Sequence, residues 1–214
     1  MTDWGQTGVV AGDDGALRCG WCVSAPDCLA YHDDEWGRPV TDDVRLYEKL
    51  CLEGFQSGLS WLTILRKREG FRRAFAGFVP EVVAQFGPAD VERLLVDAGI
   101  VRHRGKIEAT IANARATLEA QSRHGSLAGV VWSFEPSRAD RPAPGRLGAL
   151  ESITPESTAL SKALRTLGFR FVGPTTAYAA MQSLGLVNDH LAGCHVRDAC
   201  EQDRGAVSPT EGAH

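Results

Sequence analysis

Two short segments near opposite ends of the chain constrain its fold most. The first is Arg18-Cys19-Gly20-Trp21, followed by Tyr31-His32-Asp33; the second is Asn188-Asp189-His190-Leu191-Ala192-Gly193-Cys194. Each offers one cysteine and one histidine, and together they make a Cys₂His₂ donor set of the kind that holds zinc tetrahedrally. His190 and Cys194 stand one helical turn apart, so both can face one ion. Mixed thiolate and imidazole donors suit zinc better than copper or iron. Satisfying both pairs ties the two ends of the domain together, so the site is expected to be a structural clasp. Cys19-x-x-Cys22 is itself a metal-type spacing, and His195 follows Cys194, so the choice of ligands stays open on spacing alone. Cys28, Cys51 and Cys200 read as ordinary thiols, with Cys51 buried.

At 214 residues the chain has ample length for a core, and 43% hydrophobic with 23% charged residues is ordinary for a soluble domain. No apolar run approaches the roughly 18 residues that span a bilayer, and the N-terminus lacks the build of a signal peptide. A cytoplasmic address is the expectation, with nucleoid association if the substrate is DNA. Six cysteines in such a setting point to thiols or metal rather than disulfides. A net charge of −4 gives no global hint of nucleic acid, so any DNA contact must come from local clusters.

The periodicity is helical almost throughout, and the expected class is all-α. Thr41 can cap a helix over 42–54 bearing Val44, Tyr47, Leu50 and Cys51, and Ser60 can cap the next. Pro80 and Pro88 each open a short helix, the second stopping by Gly99. A longer amphipathic helix runs over 106–123, and residues 135–150 read as a surface loop. Thr154-Pro155 starts a helix ending at Gly168, and Pro174 starts another ending near Gly185. Residues 1–17 and 201–214 show no periodicity and are expected to be flexible extensions of a single domain over 18–200.

Between the last two helices lies Leu167-Gly168-Phe169-Arg170-Phe171-Val172-Gly173-Pro174-Thr175. Gly168 supplies a positive-φ stop, and Gly173 lets the backbone approach whatever sits above it. Free N–H groups at the start of the Pro174 helix suit a phosphate, with Lys162, Arg165 and Arg170 adding positive charge. This is the pattern of a helix-hairpin-helix motif, although an ordinary αα-corner would share it. A second feature is Glu53, the one charged residue from Leu50 to Leu65. An isolated carboxylate in an apolar stretch is costly unless something pairs with it. Backbone N–H groups or an arginine would suffice, but so would a cationic ligand held among aromatic rings, and Tyr31, Trp61 and Trp21 flank these segments.

The residues resemble the type I DNA-3-methyladenine glycosylases. The resemblance is carried by Arg18-Cys19-Gly20-Trp21, Tyr31-His32-Asp33-Asp34-Glu35-Trp36-Gly37, Cys51-Leu52-Glu53-Gly54, Gly58-Leu59-Ser60-Trp61, Arg102-His103-Arg104-Gly105-Lys106, Phe171-Val172-Gly173-Pro174-Thr175 and Leu186-Val187-Asn188-Asp189-His190. It runs from Arg18 to Cys194. It implies a helix-hairpin-helix glycosylase with structural Zn²⁺ on Cys19, His32, His190 and Cys194. It also implies a lesion pocket built from Glu53, Tyr31 and Trp61 with Trp21 and Trp36 nearby; the hairpin adds expected DNA contacts at Gly173 and Thr175. The partner is then alkylated double-stranded DNA, met by a monomer. The chain departs from the family in its N-terminal extension, in Cys22 and Cys28, and in Phe55 where a polar residue is expected.

The implied reaction is removal of 3-methyladenine by hydrolysis of its N-glycosidic bond. N3-alkylation puts positive charge on the ring, which favours an aromatic face and a nearby carboxylate. Such a base is already a good leaving group and needs little general-acid help. Where related enzymes carry a catalytic Asp, this chain holds Asn188, or Asp189 if the register shifts by one. No lysine occupies the hairpin position of strand-cleaving relatives, so base removal without strand cleavage is expected. Two other classes would share some of these features: a zinc-stabilised DNA-binding module without catalysis, and a zinc hydrolase. The first has no use for Glu53 among aromatics, and the second needs an open metal position.

Overall fold

A computed structural model describes residues 8–138 and 141–207. Among the described residues the α-helices are α1 (Pro26–Asp34), α2 (Asp43–Gln56), α3 (Trp61–Ala74), α4 (Pro80–Val83), α5 (Pro88–Leu95), α6 (Arg104–His124), α7 (Leu127–Trp132), α8 (Pro155–Thr166), α9 (Pro174–Ser183) and α10 (Arg197–Ala206). The all-α expectation holds for the body. Two elements lie where irregular chain was expected. A short antiparallel pair, β1 (Val9–Ala11) and β2 (Leu17–Cys19), precedes α1. Helix α10 reaches into the C-terminal segment and buries Cys200 and Arg204. Three-residue strands are too short to register as alternation, and in α10 the two buried side chains stand among polar neighbours.

Cap chemistry sets most helix boundaries. Asp42, rather than Thr41, caps α2, its carboxylate accepting the Arg45 N–H. Ser60 caps α3 and Thr154 caps α8 as expected, each satisfying an N–H left free in the first turn. Gly168 ends α8 with φ +102. Helix α5 stops at Leu95, short of Gly99.

Helix α2 organises the core. It packs against α3, α6, α7 and α9, so its residues from Leu46 to Phe55 are all buried, including Glu48, Lys49 and Glu53. Asp43 reaches from its first turn to cap α7 through the Leu127 and Ala128 N–H groups, and Tyr47 donates to the Thr110 carbonyl of α6. Its Phe55 tilts against Phe71, which continues into a stack with Phe75 and Phe78. Phe55, the departure from the family pattern, thus completes an aromatic core. A smaller cluster of Cys19, Leu191, Cys194, Val196 and Cys200 joins the two chain ends.

The α8–α9 connection lies directly on α2. A Cβ at Gly54 would sit 3.2 Å from the Phe171 Cβ and 3.3 Å from its carbonyl oxygen, so glycine permits this approach. Phe171 itself is at φ +57, an uncommon setting for an aromatic residue. Asn113 of α6 fixes the same turn, accepting the Arg170 N–H at 2.7 Å and donating to the Arg170 carbonyl at 3.2 Å.

Candidate functional site

Cys19, His32, His190 and Cys194 come together, all fully or almost fully buried, with donor atoms within 4.8 Å of one another. The His190 Nδ1 to His32 Nε2 distance is 3.2 Å. Cys194 Sγ stands 3.5 Å from His32 Nε2 and 3.6 Å from His190 Nδ1, and Cys19 Sγ 3.8 Å from His190 Nδ1. A tetrahedral ion with Zn–N near 2.0–2.1 Å and Zn–S near 2.3 Å has donor–donor edges of roughly 3.3–3.8 Å. These four distances lie close to those edges, so the donor set suits a metal ion. Cys22 is buried but outside this set, and His195 is turned away to Asp33.

The outer shell is complete. His32 donates through Nδ1 to Asp33 at 2.7 Å, and Asp33 is held by Arg18, which also pairs with Asp14. His190 donates through Nε2 to the Trp36 carbonyl at 2.9 Å, and the Leu191 N–H points at Cys19 Sγ at 3.3 Å. Such partners orient ligands and fix the histidine tautomers. Gly37 makes room: a Cβ there would stand 3.0 Å from the His190 ring. Cys19 and Cys194 are free thiols; a hydrogen bond between them holds Cys194 well below the usual thiol range and pushes Cys19 above it. A cation would take both as thiolates.

Beside this cluster lies a cavity of about 250 Å³, below the roughly 300–1,000 Å³ of pockets for drug-sized ligands. It suits a single small ring system. Its wall takes Tyr31 from α1, Glu53 and Gln56 from α2, and Trp61 from the first turn of α3. Trp21 and Trp36 come from the segments flanking α1, and Gln182 from α9. The five pocket residues expected from the sequence thus meet at one cavity. Tyr31 and Trp61 lie 5.0 Å apart between ring centroids, and Trp21 and Trp36 5.1 Å. The Trp61 Nε1 is buried without a hydrogen-bond partner among the described residues.

Burial pushes the Glu53 carboxyl up to about 7, opposed by the nearby Lys49 charge and the Ser183 hydroxyl. Burial also raises the Tyr31 phenol well above its ordinary range. An acid balanced near neutrality in an aromatic cavity is a recurrent mark of a functional site.

Several contributors escaped the sequence reading. Leu147 and Leu150, from the expected surface loop, line the cavity. Gln182 lines it too, and donates to Asp189 at 2.9 Å. Asp189 also accepts from Tyr178 at 2.6 Å and Arg141 at 3.0 Å, while Asn188 donates to the Arg197 carbonyl and Glu201. Neither Asn188 nor Asp189 lines the cavity. No sequence signal separates these residues from ordinary loop and core positions.

On the α8–α9 side, Lys162 and Arg165 of α8, Arg170 and Phe171 of the turn and Thr175 of α9 are exposed, with Gly173 as the N-cap of α9. A Cβ at Gly173 would meet only the Arg165 guanidinium, at 3.6 Å. The protein's own packing therefore does not demand glycine there. No helix among the described residues is long and apolar enough to cross a membrane.

Helices around a buried carboxylate-and-aromatic cavity, with the chain ends gathered at a candidate metal centre, define a helical domain built to hold a small planar ligand. The profile of the methyladenine glycosylase family matches residues 21–198. The chain is 50% identical over 177 residues to DNA-3-methyladenine glycosylase 1 of Escherichia coli (strain K12), covering 83% of this chain and 95% of that one. It is 44% identical over 180 residues to the DNA-3-methyladenine glycosylase of Haemophilus influenzae, covering 83% and 96%. Among solved structures, the crystal structure of a 3-methyladenine DNA glycosylase I superposes with a TM-score of 0.78 at 49% identity, covering 83% of this chain and 98% of that chain. The Staphylococcus aureus enzyme, solved to show how it recognises 3-methyladenine, gives 0.80 at 36% identity, covering 84% and 96%. The chain belongs to the methyladenine glycosylase family.

Proposed function

We infer that the chain is a DNA-3-methyladenine glycosylase, a hydrolase of base-excision repair that cleaves the N-glycosidic bond of 3-methyladenine in alkylated DNA. The observation that carries the reading is the cavity in which one buried carboxylate meets the rings of Tyr31, Trp61, Trp21 and Trp36. A base extruded from the duplex would lodge there. Its positive charge faces Glu53, its exocyclic amino group offers that carboxylate a donor, and its faces stack on the rings. The unpartnered Trp61 Nε1–H suits a ring-nitrogen acceptor.

In this reading Glu53 does not protonate the base, which already carries the charge that makes it leave. Holding the cation in a dry aromatic site favours the stretched bond over the intact nucleotide. Gln182 is kept in place by Asp189, whose carboxylate is engaged by three donors and belongs to the frame. Helices α8 and α9 with their turn act as a helix-hairpin-helix motif. Gly173, Thr175, Lys162, Arg165 and Arg170 grip phosphates of the duplex without reading sequence. Strand cleavage does not follow, since no lysine stands on the turn.

Cys19, His32, His190 and Cys194 would hold a structural Zn²⁺, whose role is to fix the ends of the domain. Four protein ligands close the coordination shell, which counts against a zinc hydrolase. The protein is read as a cytoplasmic monomer. The test is incubation of the purified protein with N-methylated duplex DNA. Release of free 3-methyladenine with strands left intact is the expected result, and DNA binding without base release would make the chain a binding module instead.

A further inference from the structure

Lys49 stands one turn before Glu53 on α2, so the two side chains share a helix face. It is buried, its Nζ donating to the Ser183 carbonyl at 3.0 Å and lying 5.3 Å from the centroid of the Tyr31 ring. Tyr31 is also a wall of the cavity, and Ser183 ends α9 next to Gln182. A buried ammonium is expensive, and a hydrophobic side chain of similar size would fill the turn more cheaply. Burial draws this lysine down to about 8, which leaves it cationic at neutral pH.

The surrounding charges identify what it acts on. Tyr31 comes from α1 and Glu35 from the residue just after it; Glu35 is the larger of the two carboxylate charges acting on Lys49, and is itself paired to Arg68 of α3 at 2.7 Å. On α2, Glu48 is paired with Arg45 and with Arg72 of α3. From α6, Lys106 donates to the Phe55 and Ser57 carbonyls. Helices α7 and α9 carry no charged side chain. The cation whose field reaches Glu53 is therefore Lys49.

We propose that Lys49 is a positioning residue for uptake of the charged base: its buried ammonium keeps the Glu53 carboxylate anionic before the base arrives. The proposal rests on the reading of Glu53 as the carboxylate that receives the base. Without Lys49, more of the protein would carry a neutral carboxylic acid near pH 7. That form attracts no cation and must release a proton to solvent before the base can be held. Lys49 also repels the incoming cation, so its benefit is confined to the pH range in which Glu53 would otherwise be protonated.

The experiment is a pH profile of kcat/KM for 3-methyladenine release from methylated duplex, between pH 5.5 and 9. The N3-methylated base in DNA is permanently cationic, so the substrate does not titrate. Lys49→Gln keeps a donor for the Ser183 carbonyl and removes the charge. Its acid limb should move up by about one pH unit, about a tenfold loss at pH 6. The two profiles should meet near pH 9. Lys49→Arg should keep the wild-type midpoint. An unmoved midpoint in Lys49→Gln overturns the proposal whatever happens to Tm, because a packing role changes stability and not the limb. If Lys49→Gln does not fold, Lys49→Met is measured against the same criterion, and the Glu53 carboxyl is titrated by ¹³C NMR in the folded variant. Glu53→Gln separates the two claims. Normal excision in that variant removes the reading of Glu53 itself, whereas a lost acid limb there beside an unmoved Lys49→Gln removes the role of Lys49 alone.

Discussion

Trp36 joins the two halves of the site: its carbonyl accepts His190 Nε2–H at 2.9 Å while its indole lines the cavity. The same indole packs edge-on to the His190 ring, 4.7 Å between centroids. A cluster that only held the chain ends would not need this second contact.

The first prediction follows from that link. Zinc should be present at one ion per chain, and His190→Ala or Cys194→Ala should release it. Loss of a structural metal belongs to the class above about 4 kcal/mol, or about 8–16 °C in Tm for a domain of this size. Because Trp36 loses its anchor, affinity for free 3-methyladenine should fall in the same sample. Full zinc content and unchanged melting in both variants would reject the ligand assignment.

Asp33 gives a finer test of the same centre. It orients His32 from the far side of the ring and is itself held by Arg18. Asp33→Asn should weaken metal binding by about ten- to a hundredfold, measured by competition with a chelator. Excision by the fully loaded protein should remain near wild type.

Glu53→Gln should lower excision by about ten- to a hundredfold, since a charge-assisted hydrogen bond contributes about 1.5–3 kcal/mol. Stability should move the other way. Glu53 rises from an ordinary 4.5 to about 7 in the fold, so the folded chain holds this proton more tightly than the unfolded one. The group therefore stabilises the fold at low pH, and that contribution is lost as pH climbs through about 7, on the order of 3 kcal/mol. Gln does not titrate, so melting curves of the two proteins should separate between pH 5 and 8 in favour of the variant. Parallel curves would mean that the carboxyl is not buried as described.

Asp189→Asn separates frame from chemistry. Removing the charge that engages Arg141, Tyr178 and Gln182 should lower Tm, with excision per folded molecule changed by less than about tenfold. A loss of several orders of magnitude at unchanged Tm would instead place Asp189 in the bond-breaking step.

The hairpin makes an ionic prediction. Changing Lys162, Arg165 and Arg170 together to Gln should flatten the dependence of log affinity on log salt by up to about 0.9 for each phosphate no longer neutralised. The effect should be equal on damaged and undamaged duplex. A defect limited to lesion-bearing DNA would assign these residues to the pocket.

The sequence was informative where one residue type answers one requirement. Ser60 and Thr154 mark helix starts because a hydroxyl there satisfies an orphan N–H, and Glu53 stood out as the one charge between Leu50 and Leu65. Donor chemistry and spacing left Cys19 and Cys22 as rivals, and the family resemblance favoured Cys19; the physical reason is the β1–β2 pair, which sets the Cys19 side chain beside His190. Lys49 was hidden for the opposite reason. On a helix buried on every face the apolar stripe vanishes, so a lysine there looks like an ordinary solvated position. Leu147 and Leu150 reach the cavity through the path of a loop, which periodicity does not encode.

The seating of Phe171 on Gly54 puts the hairpin within one van der Waals layer of the residue next to Glu53. With a phosphate held at Gly173 and a base at Glu53, the span between them is set by rigid backbone on both sides. On the proposed function the protein would then work as a caliper, bridged at both points by a nucleotide swung out to the right reach. Selection of an extruded base can begin from length, before its charge is read.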